Sequence, residues 1–332
     1  MKSRIYLLSL LLSVFILSSC SSKKGVEKLS VQGKDIVTES GKVIRLKGVS
    51  FSDPDKLATD GQWNLRYFQE AKDWGCNVVR FPVHPPRLND RGWDEYFELL
   101  DQGVQWAEEL GMYVIIDWHI IGNLSTEKWF LPIYITSYDE TIKFWKRTAE
   151  HFKGNPTVAV YELYNEPTNQ GGKLGELNWD ILRGLHETMI DEINAIDNEK
   201  IFLVSGMNWG YYLDEVIGNP VKRKNVTYTT HPYPQKEAAP WEEKWEKSWG
   251  HVADTHPIIA TEFGFMPESE PGAHMPCLGD ETYGNAIMDY FDKKGISFTL
   301  WSFDPDWPPT LIRDWDFTPS TQGKFFKEVL SR

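Results

Sequence analysis

Basic residues are in the minority: 35 Lys and Arg stand against 48 Asp and Glu in 332 residues, a net charge of -13. No long basic run occurs, so little in the chain would neutralise a phosphate backbone, and nucleic acid is excluded as a partner. Cysteine is scarce, three in all, with no Cys/His spacing of the zinc type, so no metal is expected. No glycine-rich phosphate loop follows an early strand, which removes the usual sign of an open, doubly wound nucleotide-binding sheet. No low-complexity stretch or break in composition divides the chain. What abounds is aromatic: 15 Trp, 14 Tyr and 17 Phe. That is too much apolar material for disorder and enough for a sizeable core.

One long apolar run, IYLLSLLLSVFIL, follows Lys2 and Arg4. It is short for a permanent span, and a basic start, a short apolar segment and small residues before a cut make an export signal. Its ending, Leu17-Ser18-Ser19-Cys20, resembles a bacterial lipoprotein signal, cleaved before a lipid-bearing Cys20. The expected division is a signal peptide at 1–19, a polar tether at 20–28 and one folded domain at 29–332. The protein is then exported and anchored by lipid to a bacterial membrane, at the outer membrane or cell surface. Cys76 and Cys277 remain, and the sequence allows either one disulfide or two buried thiols.

Within 29–332, short β-rich runs alternate with amphipathic helical stretches. The strand candidates are VIRLKGVSF, NVVRFPVH, MYVIIDWHI, VAVYELYNEP, KIFLVSGMNW, VTYTTHPYP, PIIATEFGF and SFTLWSFD. Such alternation implies parallel pairing, and eight units in one domain predict a closed (β/α)8 TIM barrel. LSVQGKDIVTESGKVI before the first unit reads as a hairpin capping the barrel floor. WEEKWEKSW has the look of a membrane-surface helix, but its acidic residues disfavour an anionic membrane. The better reading packs its tryptophans on the barrel.

Active sites of such barrels lie at the C-terminal ends of the strands, and there the unusual polar residues gather. Arg80 ends the second strand, His119 the third, Asn165 and Glu166 the fourth. His231 and Tyr233 end the sixth, Glu262 the seventh and Trp301 the eighth. Glu162, deeper on the fourth strand, reads as a buried partner for Arg80, since an unpaired carboxylate there is costly. Glu166 and Glu262 stand on strands nearly across from each other. Two carboxylates about 5 Å apart are what retaining glycoside hydrolysis requires.

The motifs VVRFPV, VIIDWH, YNEP, THPY, ATEFGF and TLWSFD, in this order across residues 43–304, resemble glycoside hydrolase family 5, the cellulase family. The resemblance implies Glu166 as acid/base and Glu262 as nucleophile. It implies that Asn165 bonds the sugar's 2-hydroxyl, that Arg80 and Tyr233 hold the nucleophile, that His119 lines the sugar site and His231 sits close to the acid/base. Trp301 would be the platform under the reacting sugar. Of the loop aromatics, Trp209 and Trp307 are expected to form further sugar subsites. The expected function is an endo-β-1,4-glucanase acting on a plant-type polysaccharide or its oligosaccharides, as a monomer needing no cofactor, with a β-mannanase as the alternative enzyme. A glycan-binding lipoprotein without catalysis is disfavoured by the intact carboxylate pair. A lyase or isomerase on the same barrel would need metal ligands or a phosphate loop.

Overall fold

A computed structural model describes residues 25–332 of the chain. The signal segment 1–19, Cys20 and the first part of the tether lie outside the described residues. In chain order the strands are β1 (Leu29–Gln32), β2 (Asp35–Thr38), β3 (Lys47–Ser50), β4 (Val78–Val83), β5 (Tyr113–Trp118), β6 (Ile121–Asn123), β7 (Lys128–Trp129), β8 (Val158–Glu162), β9 (Glu166–Pro167), β10 (Ile201–Ser205), β11 (Val226–Thr229), β12 (Ile259–Ala260) and β13 (Ser297–Leu300).

Eight of them form one parallel sheet in the order β11-β10-β8-β5-β4-β3-β13-β12. A parallel bridge between Tyr228 and Ile258 joins the two ends and closes the barrel. Each of the eight expected strands is present. Strands buried on both faces read as continuous apolar runs, which is how VVRFPV and YVIIDW read. Helices such as Trp93–Glu109, Tyr138–His151, Trp179–Asn194 and Glu281–Lys294 follow the strands and cover the outside. The last of these stops where Gly295 takes a left-handed φ of 70°, as glycine allows at a helix end. Among the described residues no helix is long and apolar enough to cross a membrane.

Alternation along the strands sorts the core into layers. Val79, Phe81 and Val83 face the helices, while Val78 faces the barrel interior with Ile115, Val160, Leu203 and Ile259. Leu29 and Ile36 of the β1–β2 hairpin join this inner cluster, so the hairpin plugs the floor as expected. One layer up, the interior turns polar: Ser50, Arg80, Asp117 and Glu162 are all wholly buried.

Two expectations need correction. Arg80 does not end its strand; it sits in the middle of β4, with the parity of Val78, and so lies beneath the mouth. VAVYELYNEP is not one strand. β8 stops at Glu162, and Leu163 and Tyr164 both enter the outer core, which breaks the alternation. Glu166 and Pro167 then pair with Ile121 and Gly122 in a separate three-stranded sheet, β7-β6-β9, over the mouth.

WEEKWEKSW packs on the barrel. Its helix runs Glu242–Ser248, and Trp245 and Trp249 are buried against Tyr290. Cys76 and Cys277 are both buried and free, which closes the disulfide question left open above.

Candidate active site

Arg80 is the hub. Its Nε donates to Glu162 at 2.7 Å and its Nη1 to Glu262 at 3.0 Å. Its Nη2 donates to Asn165 Oδ1 at 2.7 Å and lies 2.9 Å from Asp117. A planar fork of donors suits this branched demand better than a single ammonium. Glu162 is thus the buried partner expected of it. Burial works to raise the Glu162 carboxyl, but Arg80 and His231 outweigh it and hold the group below its ordinary range.

Glu262 follows β12 by two residues and lies against four groups, among them His231 Nδ1 at 3.9 Å. Besides Arg80, Tyr233 Oη donates to it at 3.4 Å, and His119 Nδ1 is 3.8 Å away. Burial raises its carboxyl above the ordinary range; His231 and Arg80 pull it back only in part, and Glu166 and Glu162 push it up again. His119 is held neutral: burial, then His84, Arg80 and His231, lower it well below its usual range. Its Nδ1 contacts Asp117 at 2.6 Å. Its ring is parallel to Trp301 at 5.4 Å.

Glu166 is positioned by the small sheet. Its N–H donates to the Ile120 carbonyl at 3.1 Å, and His231 Nδ1 reaches its Oε1 at 2.9 Å. The other ring nitrogen of His231 meets Thr261 Oγ1 at 3.0 Å, and that hydroxyl donates to Glu162 at 2.8 Å. Burial would depress His231, but Glu262, Glu162 and Glu166 together push it up to about 9. One atom each of Glu166, His231 and Glu262 lies within 4.8 Å of the others. That is the donor spacing of a cation site, yet a protonated imidazole has no lone pair to offer.

The His231 value carries a sign. A histidine raised from about 6.5 contributes its stability in full below the unfolded value and loses it as pH rises through the folded one. The melting temperature of wild type should therefore exceed that of His231→Gln most near pH 6. The gap should close towards pH 9 to 10, as a stability contribution on the order of a few kcal/mol is lost. A gap that stays constant across this range in thermal melts would show that His231 is uncharged.

Asn165 Nδ2 is buried without a partner. An unmet buried donor costs about 1–3 kcal/mol, so this one stands ready for a substrate oxygen. Around the pair opens a cleft of about 680 Å³, lined among others by His119, Tyr233, Trp209 and Trp301. Trp209 stands on a turn with three successive left-handed residues, Asn208, Trp209 and Gly210, at φ 54°, 63° and 64°. A side chain at Gly210 would meet His231 Nδ1 at 3.2 Å. Such a turn costs roughly 1–2 kcal/mol per non-glycine residue, and strain of this kind gathers at functional sites.

Trp307 is not among the residues lining this cleft. It backs Trp301, parallel at 6.1 Å, and meets His84 edge-on. Pro308 and Pro309 form the cleft wall there. Sequence reading passed over Asp117, Thr261, Tyr134, Phe130 and Lys236. Asp117 is two residues before His119 and Thr261 adjoins Glu262, so both were within reach of strand alternation. The others stand on loops with no periodic signal.

A closed eight-stranded barrel with two carboxylates converging over its mouth is the frame of a (β/α)8 glycosidase. The chain belongs to the cellulase family, glycosyl hydrolase family 5, whose sequence profile matches residues 37–306. It is similar to the solved β-glucanase SdGluc5_26A of Saccharophagus degradans in complex with cellotetraose: 44% identity, TM-score 0.91, over 93% of this chain and 94% of that one. It is 29% identical over 281 residues to an endoglucanase of Clostridium saccharobutylicum, covering 83% of this chain and 56% of that protein. Endoglucanase A of Butyrivibrio fibrisolvens is 25% identical over 287 residues, covering 83% of this chain and 60% of that protein. The chain therefore spans little more than half the length of these two relatives.

Proposed function

We propose that this protein is a retaining endo-β-1,4-glucanase acting on β-glucan chains or their oligosaccharides. The observation that carries the reading is the closeness of Glu166 and Glu262: one oxygen of each lies within 4.8 Å of the other, as suits a retaining pair, whose carboxyl groups stand about 5 Å apart. Inverting enzymes hold theirs about 6.5–9.5 Å apart to admit a water. The endoglucanase names of the relatives and the β-glucanase with cellotetraose support the choice of glucan.

In this mechanism Glu262 attacks the anomeric carbon and forms a covalent glycosyl ester while Glu166 protonates the leaving oxygen. Glu166, now a carboxylate, takes a proton from water, which attacks the ester and frees Glu262. Arg80 and Tyr233 hold the nucleophile in line. Asn165 Nδ2 donates to the 2-hydroxyl, and Trp301 offers an apolar face to the ring of the reacting sugar. Arg80 and His231 are the two cations facing the carboxylates, and they hold Glu162 below its ordinary range. Burial raises Asp117 well above its usual range.

The leader belongs to the same proposal. Residues 1–19 act as an export signal, Cys20 carries the lipid, residues up to 28 are the tether, and a monomeric catalytic domain occupies 29–332 at the cell surface. The test is reducing-sugar release from β-glucan, mannan, xylan and xyloglucan, with Glu262→Ala as the control. Release from β-glucan that vanishes in the control is expected. Release from mannan alone would make the protein a mannanase, and binding without release on any polymer would overturn the enzyme.

A further inference from the structure

The cleft has two unlike sides. Around Glu262 stand Trp301, His119 and Tyr233. By Glu166 stand Trp209 and Phe130, with Lys236 next to Trp209. Phe130 belongs to the loop whose sheet carries Glu166: its N–H donates to the Ile121 carbonyl at 2.9 Å, and Ile121 pairs with Glu166. Phe130 meets Trp209 edge-on at 4.7 Å. The Lys236 ammonium lies 5.9 Å from the Trp209 ring centroid, and Lys236 lines the cleft. Because Glu166 protonates the departing oxygen, the sugar that leaves must occupy this second side.

Lys236 has no structural duty to explain its place. Its loop is shaped by backbone bonds, Lys236 N–H to the Tyr233 carbonyl and Gln235 N–H to the Pro276 carbonyl, each at 3.0 Å. Among the described residues, no side-chain hydrogen bond or ion pair engages its ammonium. Burial lowers its ammonium below the ordinary range, against the opposing pull of Glu166, Cys277 and Glu262. An ammonium offers three donors and no acceptor, so its complement is a group rich in oxygen. The indole beside it presents an apolar face, and a pyranose offers both surfaces, hydroxyls at its rim and C–H bonds on its faces.

We propose that Lys236 is the specificity-determining residue of the leaving-group side, donating to hydroxyl oxygens of the departing sugar while Trp209 takes that sugar's apolar face. The inference rests on the retaining β-glucanase reading. It implies a preference for substrates whose leaving group is itself a sugar over those whose leaving group is a bare aryl ring.

The experiment compares wild type, Lys236→Met and Lys236→Arg on cellotetraose and on 4-nitrophenyl β-cellobioside. Methionine keeps the unbranched stem and removes the donors. In Lys236→Met, kcat/KM on cellotetraose should fall about tenfold, which corresponds to 1.4 kcal/mol. The aryl cellobioside should change less than about twofold, since its leaving group has no hydroxyls to lose a bond with. Lys236→Arg should recover most of the lost ratio. Equal losses on both substrates, or none on either, overturn the inference while leaving the enzyme in place. Wild type silent on both substrates overturns the β-glucanase reading and the inference with it.

Discussion

Glu262→Ala is expected to reduce kcat on β-glucan by on the order of 10⁴-fold or more, the scale seen when the nucleophile of a concerted catalytic set is removed. Glu166→Ala should cost about 10²- to 10⁴-fold on the same polymer, as general acid catalysis is worth. The two variants separate on an activated aryl β-cellobioside. Its leaving group departs without a proton, so Glu166→Ala forms the glycosyl ester readily and stalls at its hydrolysis. Glu262→Ala cannot form the ester at all. Added azide should then rescue both, with opposite stereochemistry. Azide attacking the ester in Glu166→Ala gives the β-glycosyl azide. Azide entering the space vacated in Glu262→Ala displaces the aglycone directly and gives the α-anomer. Proton NMR of the products reads the anomer, and reversed anomers would exchange the two roles. Folding is not at stake in Glu262→Ala, because Arg80 keeps Glu162 and Asp117 as partners.

How much of this was legible in the sequence follows from where each residue stands. His119 and Trp301 directly follow their strands and Glu262 follows within two residues, so strand counting located them. Parity located Glu162 beside Arg80. The same reasoning treated Glu166 as a continuation of the fourth strand, and there the local geometry differs. Two consecutive buried residues, Leu163 and Tyr164, turn the chain out of register, and a second sheet recovers Glu166 for the mouth. No period-2 pattern announces that, since β9 is two residues long and its partner lies more than forty positions earlier. Lys236, Phe130 and the left-handed turn at Trp209 depend on loop conformation, which composition does not encode. The place of Trp307 was hidden for a related reason. Its loop brings prolines to the cleft and turns the indole onto Trp301, a packing choice that sequence position alone does not settle.

Arg80→Ala is expected to be the most destabilising single change in the site. The side chain is wholly buried and faces three carboxylates, Asp117, Glu162 and Glu262, none of which is more than slightly exposed. Removing one member of a buried ionic network leaves uncompensated charge and costs about 3–5 kcal/mol, a fall in Tm on the order of 10 °C for a domain of this size. Arg80→Lys should recover only part of it, because one ammonium cannot reach Glu162, Glu262 and Asn165 together. The pH dependence distinguishes charge from volume. Without Arg80 the buried carboxyls sit above their unfolded values, so the folded state binds protons more tightly than the unfolded one. Stability of the variant must then rise relative to wild type as pH falls towards the carboxylate range. The Tm deficit should be larger at pH 8 than at pH 5. A deficit that is equal at both, measured by calorimetry, would mean that Arg80 acts by filling space. The expected result would mean that the same guanidinium that holds Glu262 also allows a polar layer to exist inside the barrel.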